Sequence, residues 1–64
     1  MTEQKPRCRL IGEDGNIFNL LGIASLTLRK AGLIDKSKEM SGRVMVSGSY
    51  DEALAIIGEY VEVE

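Results

Sequence analysis

Hydrophobic and polar residues alternate at both ends of this chain and recur at helical spacing in between. Residues 7–11 alternate in polarity and end before a glycine, which predicts a strand with Cys8 and Leu10 facing inward. Over residues 16–31 the apolar positions recur every three or four residues, which predicts a first helix. Gly32 follows two basic residues and is expected to end that helix.

The loop between these segments, residues 12–16, has turn-forming residues throughout and allows two interpretations. Asp14 followed by Gly15 is a hairpin signal, which would make residues 16–21 a second strand. The spacing of the apolar residues favours the helix instead, with Asp14 or Asn16 as its N-cap.

The second half of the chain predicts two more helices and a last strand. The second helix covers residues 35–46, and its first residue, an aspartate, offers the N-cap. Ser49 and Glu52 have the spacing of a capping box, in which the hydroxyl accepts from the Glu52 amide and the carboxylate accepts from the Ser49 amide. This pair predicts a third helix over 50–59. Alternation returns in residues 61–64 and predicts a strand.

The predicted order is β-α-α-α-β, a small α+β fold in one domain of residues 1–64 with its N- and C-terminal strands paired. Residues 1–6 precede the first strand and are expected to be flexible. Val61 and Val63 would share the core face with the inward residues of the first strand. On the solvent face, opposite charges would select the pairing, with Arg7 and Arg9 on one strand and Glu62 and Glu64 on the other. Two strands alone leave two open edges, so we expect a homodimer that joins two ribbons into a larger sheet.

Composition excludes several classes of protein. The 64 residues include no histidine and one cysteine, with 8 basic and 10 acidic side chains and a net charge of −2. Ser/His and Cys/His nucleophile pairs need a histidine, and a single cysteine forms neither an internal disulfide nor a zinc site. We therefore expect a non-enzymatic protein with no cofactor and no metal. No signal peptide and no apolar run near the roughly 18 residues of a membrane span are present, which predicts a cytoplasmic protein without membrane contact.

Two local features still allow a ligand or a reactive group. A strand, a glycine-bearing loop and a helix start resemble an anion cradle, which would make Gly12, Gly15 and Asn16 ligand-binding residues for an anion or nucleotide. The loop lacks a lysine and carries two acidic residues, so a turn that caps the helix is the favoured interpretation. Cys8 is interpreted as a small buried hydrophobic residue, because strand alternation turns the neighbouring arginines away from it.

Two surfaces are candidates for contact with a partner. Ile23 and Leu26 lie off the apolar stripe of the first helix and would be exposed in an isolated domain, so together with Lys30 they form a predicted interaction surface. The second helix carries three basic residues, which weakly suggests a DNA-binding helix. These residues are Lys36, Lys38 and Arg43. Acidic residues interrupt that surface and the net charge is negative, so nucleic acid is disfavoured as a partner.

Several short segments occur together over nearly the whole chain, from about Cys8 to Glu64. They are the Gly12-Glu13-Asp14-Gly15-Asn16 loop with Phe18 and Gly22, the segment Leu28-Arg29-Lys30-Ala31-Gly32, the turn Ser47-Gly48-Ser49-Tyr50-Asp51, and the ending Glu59-Tyr60-Val61-Glu62-Val63-Glu64. In combination they resemble a family of very small proteins of bacterial and bacteriophage genomes that has no assigned activity. The resemblance implies a phage or mobile-element context and supplies no catalytic or ligand-binding residues. The chain departs from the family where Ile23 and Leu26 stand in place of charged residues, and where Ser49 interrupts a Gly-Asp-Tyr-Asp pattern. The first departure bears on whether the members share one partner surface.

The leading hypothesis is a non-enzymatic protein–protein interaction module that is a homodimer and occupies a surface of another protein, for example an inhibitor or modulator of a host defence protein. The first alternative is a small-ligand binder that holds an anion or nucleotide at residues 12–16. The second alternative is a DNA-binding regulator that uses the basic residues of the second helix.

Overall fold

The structure is a computed structural model that describes residues 5–64, so the expected flexibility of residues 1–4 lies outside the described residues. Its elements are β1 (Arg7–Cys8), α1 (Ile17–Lys30), α2 (Ile34–Met45), α3 (Tyr50–Tyr60) and β2 (Glu62–Val63). This order confirms the predicted α+β arrangement, β-α-α-α-β, with the terminal strands paired. Residues 16–21 do not form the strand of the alternative hairpin, because Ile17 begins a helix.

β1 and β2 form a two-stranded parallel sheet that closes the chain. The register places Arg7 opposite Glu62 and Cys8 opposite Val63. Pairing begins at Pro6, whose carbonyl accepts from the Glu62 amide at 2.8 Å. A parallel pair needs a long crossover, and the three helices provide it while covering one face of the sheet.

The strands are shorter than predicted, and their outer face differs from the expectation in two respects. Val61 is fully buried, but Val63 is exposed, so the prediction that both share the core face is wrong for Val63. Val61 ends α3, with its amide bonded to the Ile57 carbonyl, and continues the buried face of that helix, whereas Val63 lies beyond it on the ribbon. In addition, no ion pair within 4 Å joins Arg7 or Arg9 to Glu62 or Glu64 in residues 5–64.

Both ends of α1 follow the predicted signals. The Asn16 side chain accepts from the Phe18 amide at 2.8 Å, so Asn16 is the N-cap. At the other end Gly32 has a φ of 81°, and the Leu33 amide donates to the Leu28 carbonyl at 2.8 Å. This hydrogen bond belongs to a Schellman turn. Such a turn needs a positive φ, which glycine adopts without strain.

The starts of α2 and α3 differ in detail from the predictions. Asp35 is not the N-cap of α2, because the Schellman turn lets the helix begin at Ile34 and leaves Asp35 inside its first turn. For α3, Ser49 caps the Glu52 amide as predicted, at 3.1 Å. The Glu52 carboxylate returns to the amide of Gly48, also at 3.1 Å, rather than to that of Ser49.

The core lies between the three helices and the inner face of the sheet. It contains Cys8, Leu10, Leu20, Ala24, Leu28, Met40, Val44, Ala53, Ile56, Ile57, Tyr60 and Val61. The interpretation of Cys8 as a buried hydrophobic residue is confirmed by its burial. Burial of these side chains is the main stabilising contribution in a domain of this size.

Candidate functional site

A groove of about 360 Å³ opens where the N-terminus of α1, the C-terminus of α2 and the N-terminus of α3 meet. We call it the helix-end groove. It is lined by Ile17 and Phe18 of α1, Val44 and Met45 of α2, Tyr50 and Ala53 of α3, and the Ser47-Gly48-Ser49 turn. Among these lining residues none carries a charge, so the groove suits an apolar occupant.

Large apolar side chains are concentrated and uncovered at this corner. Phe18 is 66% exposed and Met45 is 65% exposed. Val46, the residue after Met45, is also exposed, and so is Tyr50. Single exposed hydrophobic residues are ordinary on protein surfaces, but several around one concavity are typical of an interaction site.

Local hydrogen bonds fix the walls of the helix-end groove. The N-caps Asn16 and Ser49 hold the first turns of α1 and α3, which carry Phe18 and Tyr50. The Tyr50 hydroxyl donates to the Gly15 carbonyl across 35 residues of sequence. That bond ties the 12–16 loop to α3 and holds the Tyr50 side chain at the groove.

Three acidic residues, Asp14, Asp51 and Glu52, lie next to the lining of the helix-end groove, and we call them its rim. Asp51 and Glu52 follow Tyr50 in the first turn of α3, where carboxylates interact favourably with the helix dipole. Asp14 lies beside Gly15, and its carboxylate accepts from the Asn16 amide at 3.1 Å. The basic residue of the last turn of α2 is Arg43, and its guanidinium is bonded to a glutamate of α3 instead.

The predicted ligand residues Gly12, Gly15 and Asn16 are all exposed in the loop that precedes α1. The loop uses several of its own polar groups internally. The Asn16 amide is bonded to Asp14, the Asn16 side chain is bonded to the Phe18 amide, and the Gly15 carbonyl is bonded to Tyr50. An anion would compete with these bonds for the same donors, and ligand binding at residues 12–16 stays a prediction.

The predicted interaction surface on α1 is only partly exposed. Leu26 is 51% exposed and Lys30 is exposed, as expected. Ile23 is partly buried and packs against the core, so the expectation of an exposed Ile23 is wrong. The reason is the position of β1: Thr27, four residues further on the same helix face, donates to the Cys8 sulfur at 3.5 Å. That face of α1 therefore turns toward the strand.

A second polar cluster joins α2 to the C-terminal end of α3. Arg43 donates to both carboxylate oxygens of Glu59, at 2.6 and 3.2 Å, and its guanidinium carbon lies 5.7 Å from the centre of the Tyr60 ring. The Tyr60 hydroxyl accepts from Arg43 at 3.2 Å and donates to Glu39 at 2.7 Å. We call these four residues the tyrosine–arginine cluster.

Pairing changes the protonation of this cluster. The hydrogen bonds from Arg43, together with its positive charge, lower the pKa of the Glu59 carboxyl. The same hydrogen bonds raise the pKa of Arg43. Arg43 and Glu59 are both ionised and are hydrogen-bonded to each other. Such a pair stabilises the packing of α2 on α3 and is poorly suited to act as a general acid or base. Arg43 is thus occupied within the chain, which leaves Lys36 and Lys38 as the remaining basic residues of the predicted DNA-binding helix.

Sequence reasoning missed both the helix-end groove and the tyrosine–arginine cluster. One signal for the groove was present, because Met45 and Val46 are adjacent apolar residues directly before a Ser-Gly-Ser turn. Neighbouring residues at a helix end point in different directions and cannot both reach one core. No sequence signal marks the cluster, since Arg43 and Glu59 meet only through the packing of two helices.

Within residues 5–64, no group of three or more Cys, Asp or Glu side chains is arranged to hold a metal ion. No helix in the same part of the chain is long and apolar enough to cross a membrane. No protein-family model, no curated protein and no solved structure matches this chain.

Proposed function

We propose that this protein is a non-enzymatic protein–protein interaction module and that the helix-end groove is its contact site. The observation that carries the proposal is the concentration of exposed apolar side chains around one uncharged concavity, with Phe18, Met45 and Tyr50 on three different helices. Covering such a surface with another protein removes apolar area from water, which is the main driving force of association.

The remaining chemistry of the chain supports a binding role. A nucleophile activated by histidine is excluded because the sequence contains none. In the tyrosine–arginine cluster each ionised group already has a partner. The family resemblance implies a phage or mobile-element context. In that context we propose that the module binds a surface of a host protein and modulates that protein.

The homodimer stays a prediction, and the charges of the two strands oppose one way of forming it. Exposed Glu62 lies on β2 and exposed Arg7 lies on β1, with Glu64 and Arg9 directly after the two strands. Joining two ribbons through identical edges would place like charges near one another, which is unfavourable. Sedimentation analysis of the purified chain over a range of concentrations tests this dimer directly.

The contact site is tested by affinity capture from the native host with matched variants. The wild-type chain, the double variant Phe18→Ser/Met45→Ser and the variant Leu26→Ser are each immobilised after circular dichroism has shown that they fold. Leu26 is also an exposed apolar residue of α1, but it does not line the groove. We expect a host protein that binds the wild type and Leu26→Ser and is lost with the double variant.

The captured protein is then purified, and its affinity for each variant is measured directly. Loss of binding with Leu26→Ser alone would assign the interaction to the predicted surface on α1 and contradict the groove. Equal binding to all three chains, or no specific capture by the wild type, would contradict the proposal as well.

A further inference from the structure

We infer that the occupant of the helix-end groove is a basic amphipathic segment, in which one or two bulky apolar side chains are flanked by Lys or Arg. This inference rests on the proposed function and adds the chemistry of the partner. It is carried by the contrast between the uncharged lining of the groove and the acidic residues on its rim.

The lining sets the central part of the occupant. Phe18 on α1 and Met45 on α2 are roughly two-thirds exposed, whereas Ile17 and Ala53 are more buried lining residues. A volume of about 360 Å³ falls near the lower end of the roughly 300–1,000 Å³ of ligand pockets, which is room for one or two large side chains. Charged side chains would lose hydration there without gaining a partner, so the inserted groups should be apolar.

The rim sets the flanks of the occupant. Asp51 is exposed in the first turn of α3, and the Glu52 carboxylate lies 3.1 Å from the amide of Gly48, a lining residue. Asp14 is adjacent to Gly15, whose carbonyl meets the Tyr50 hydroxyl. The helix ends add smaller partial charges at this corner, positive at the first amides of α1 and α3 and negative at the last carbonyls of α2, so the full charges of the three carboxylates dominate. Lysine or arginine beside the inserted side chain would meet opposite charge from the 12–16 loop and from α3.

The same charges disfavour a second copy of this chain as the occupant. A twofold dimer brings the same surface of both copies together, so each acidic rim would face another acidic rim. Like charges in close apposition oppose association, whereas a basic segment gains both attraction and faster encounter. The basic segment is therefore the occupant that the charge distribution favours.

Selection from a randomised peptide library, displayed and applied to the intact chain, tests the partner chemistry. We expect the enriched peptides to combine aromatic or large aliphatic residues with Lys or Arg. Synthetic copies should shift the amide resonances of Phe18, Met45 and Tyr50, and Phe18→Ser/Met45→Ser should weaken their binding by about tenfold or more.

A charge variant with a matched control isolates the role of the rim. Asp51→Asn should weaken the enriched peptides about two- to fivefold, and added salt should reduce that difference. Asp35→Asn removes an equivalent carboxylate from the first turn of α2, at the opposite end of that helix from Met45. It should leave the affinity unchanged.

The outcomes separate the two proposals. Enrichment of groove-dependent peptides without a basic excess, or equal effects of the two charge variants, would overturn the basic partner and leave the interaction module standing. Peptides that bind the double variant as well as the wild type, or no enrichment at all, would overturn both. Self-association that is abolished by Phe18→Ser/Met45→Ser would show a second copy in the groove and overturn the basic segment.

Discussion

α3 carries a tyrosine at each end, and the two side chains lie in opposite surroundings. Tyr60 is 9% exposed, its ring packs in the core, and its hydroxyl is bonded to Arg43 and Glu39. Tyr50 is 46% exposed, its hydroxyl has one partner, and its ring forms a wall of the helix-end groove. One helix of 11 residues thus links a closed polar network to an open apolar surface.

The difference separates a structural role from a binding role. At the C-terminal end of α3 the chain's own side chains satisfy one another, so a further partner would have to displace existing bonds. At the N-terminal end the hydrogen bonds are also made, through the caps and the Tyr50 hydroxyl, but the apolar surface has no cover. Local bonds hold that end in shape while its apolar groups stay available for another molecule.

Replacing each tyrosine with alanine should give the largest difference between the two ends of α3, measured as a loss of free energy of unfolding. Tyr60→Ala should lower the free energy of unfolding by about 3–5 kcal/mol, because it opens a cavity in the core and leaves Arg43 and Glu39 without their shared partner. That is a large share of the stability of a small domain. Tyr50→Ala should cost about 1 kcal/mol or less, since its ring is half exposed. Urea denaturation of both variants measures the difference, and similar losses would contradict the assigned roles.

Ser49→Ala tests whether the N-cap stabilises the N-terminal turn of α3, which borders the helix-end groove. The Ser49 hydroxyl accepts from the Glu52 amide, and its loss should lower the free energy of unfolding by about 1 kcal/mol. Hydrogen exchange should then speed up in the first turn of α3 and not near Tyr60. Ser41→Ala, at a partly buried serine within α2, serves as the comparison, and an equal effect there would contradict a capping role.

The smallest expected effect concerns the ionisation of Glu59 at the C-terminal end of α3. Arg43 lowers the pKa of Glu59, so the stabilisation from this pair is complete above the ordinary pKa of a glutamate in the unfolded chain and is lost as the pH falls through the lower folded-state pKa. Arg43→Gln should raise the pKa of Glu59 toward its ordinary value in a carboxyl NMR titration. Lys36 lines one pocket together with Arg43 and Glu59 but donates no hydrogen bond to Glu59, so Lys36→Gln should change the pKa of Glu59 much less. An unchanged Glu59 pKa in Arg43→Gln would refute the pairing.

Sequence reasoning succeeded where the signals are local. Ser49 was identified as a cap, and Asn16 was one of two candidates beside Asp14, because a side chain two or three residues from an amide can reach it in any tertiary context. Gly32 was identified as the end of α1 for a similar reason. It failed at Asp35, because the preceding Schellman turn decided where α2 begins.

Predictions of exposure succeeded less well. Ile23 was expected at the surface because it lies off the apolar stripe of α1, but β1 covers that side of the helix. Val63 was expected in the core because of alternation, but the ribbon extends past the helix that buries Val61. The spacing of apolar residues shows which residues share one face of a helix or strand. It does not show which neighbouring element covers that face.

The sequence by itself determined the order of the elements, the boundaries set by caps and glycine, and the absence of histidine chemistry, because these depend on residues close together in the chain. The tertiary structure alone decided that the strands pair in parallel, that Arg43 binds Glu59, and that three helix ends enclose an uncharged groove. These features join residues far apart in sequence, and their geometry follows from how the helices pack around one core.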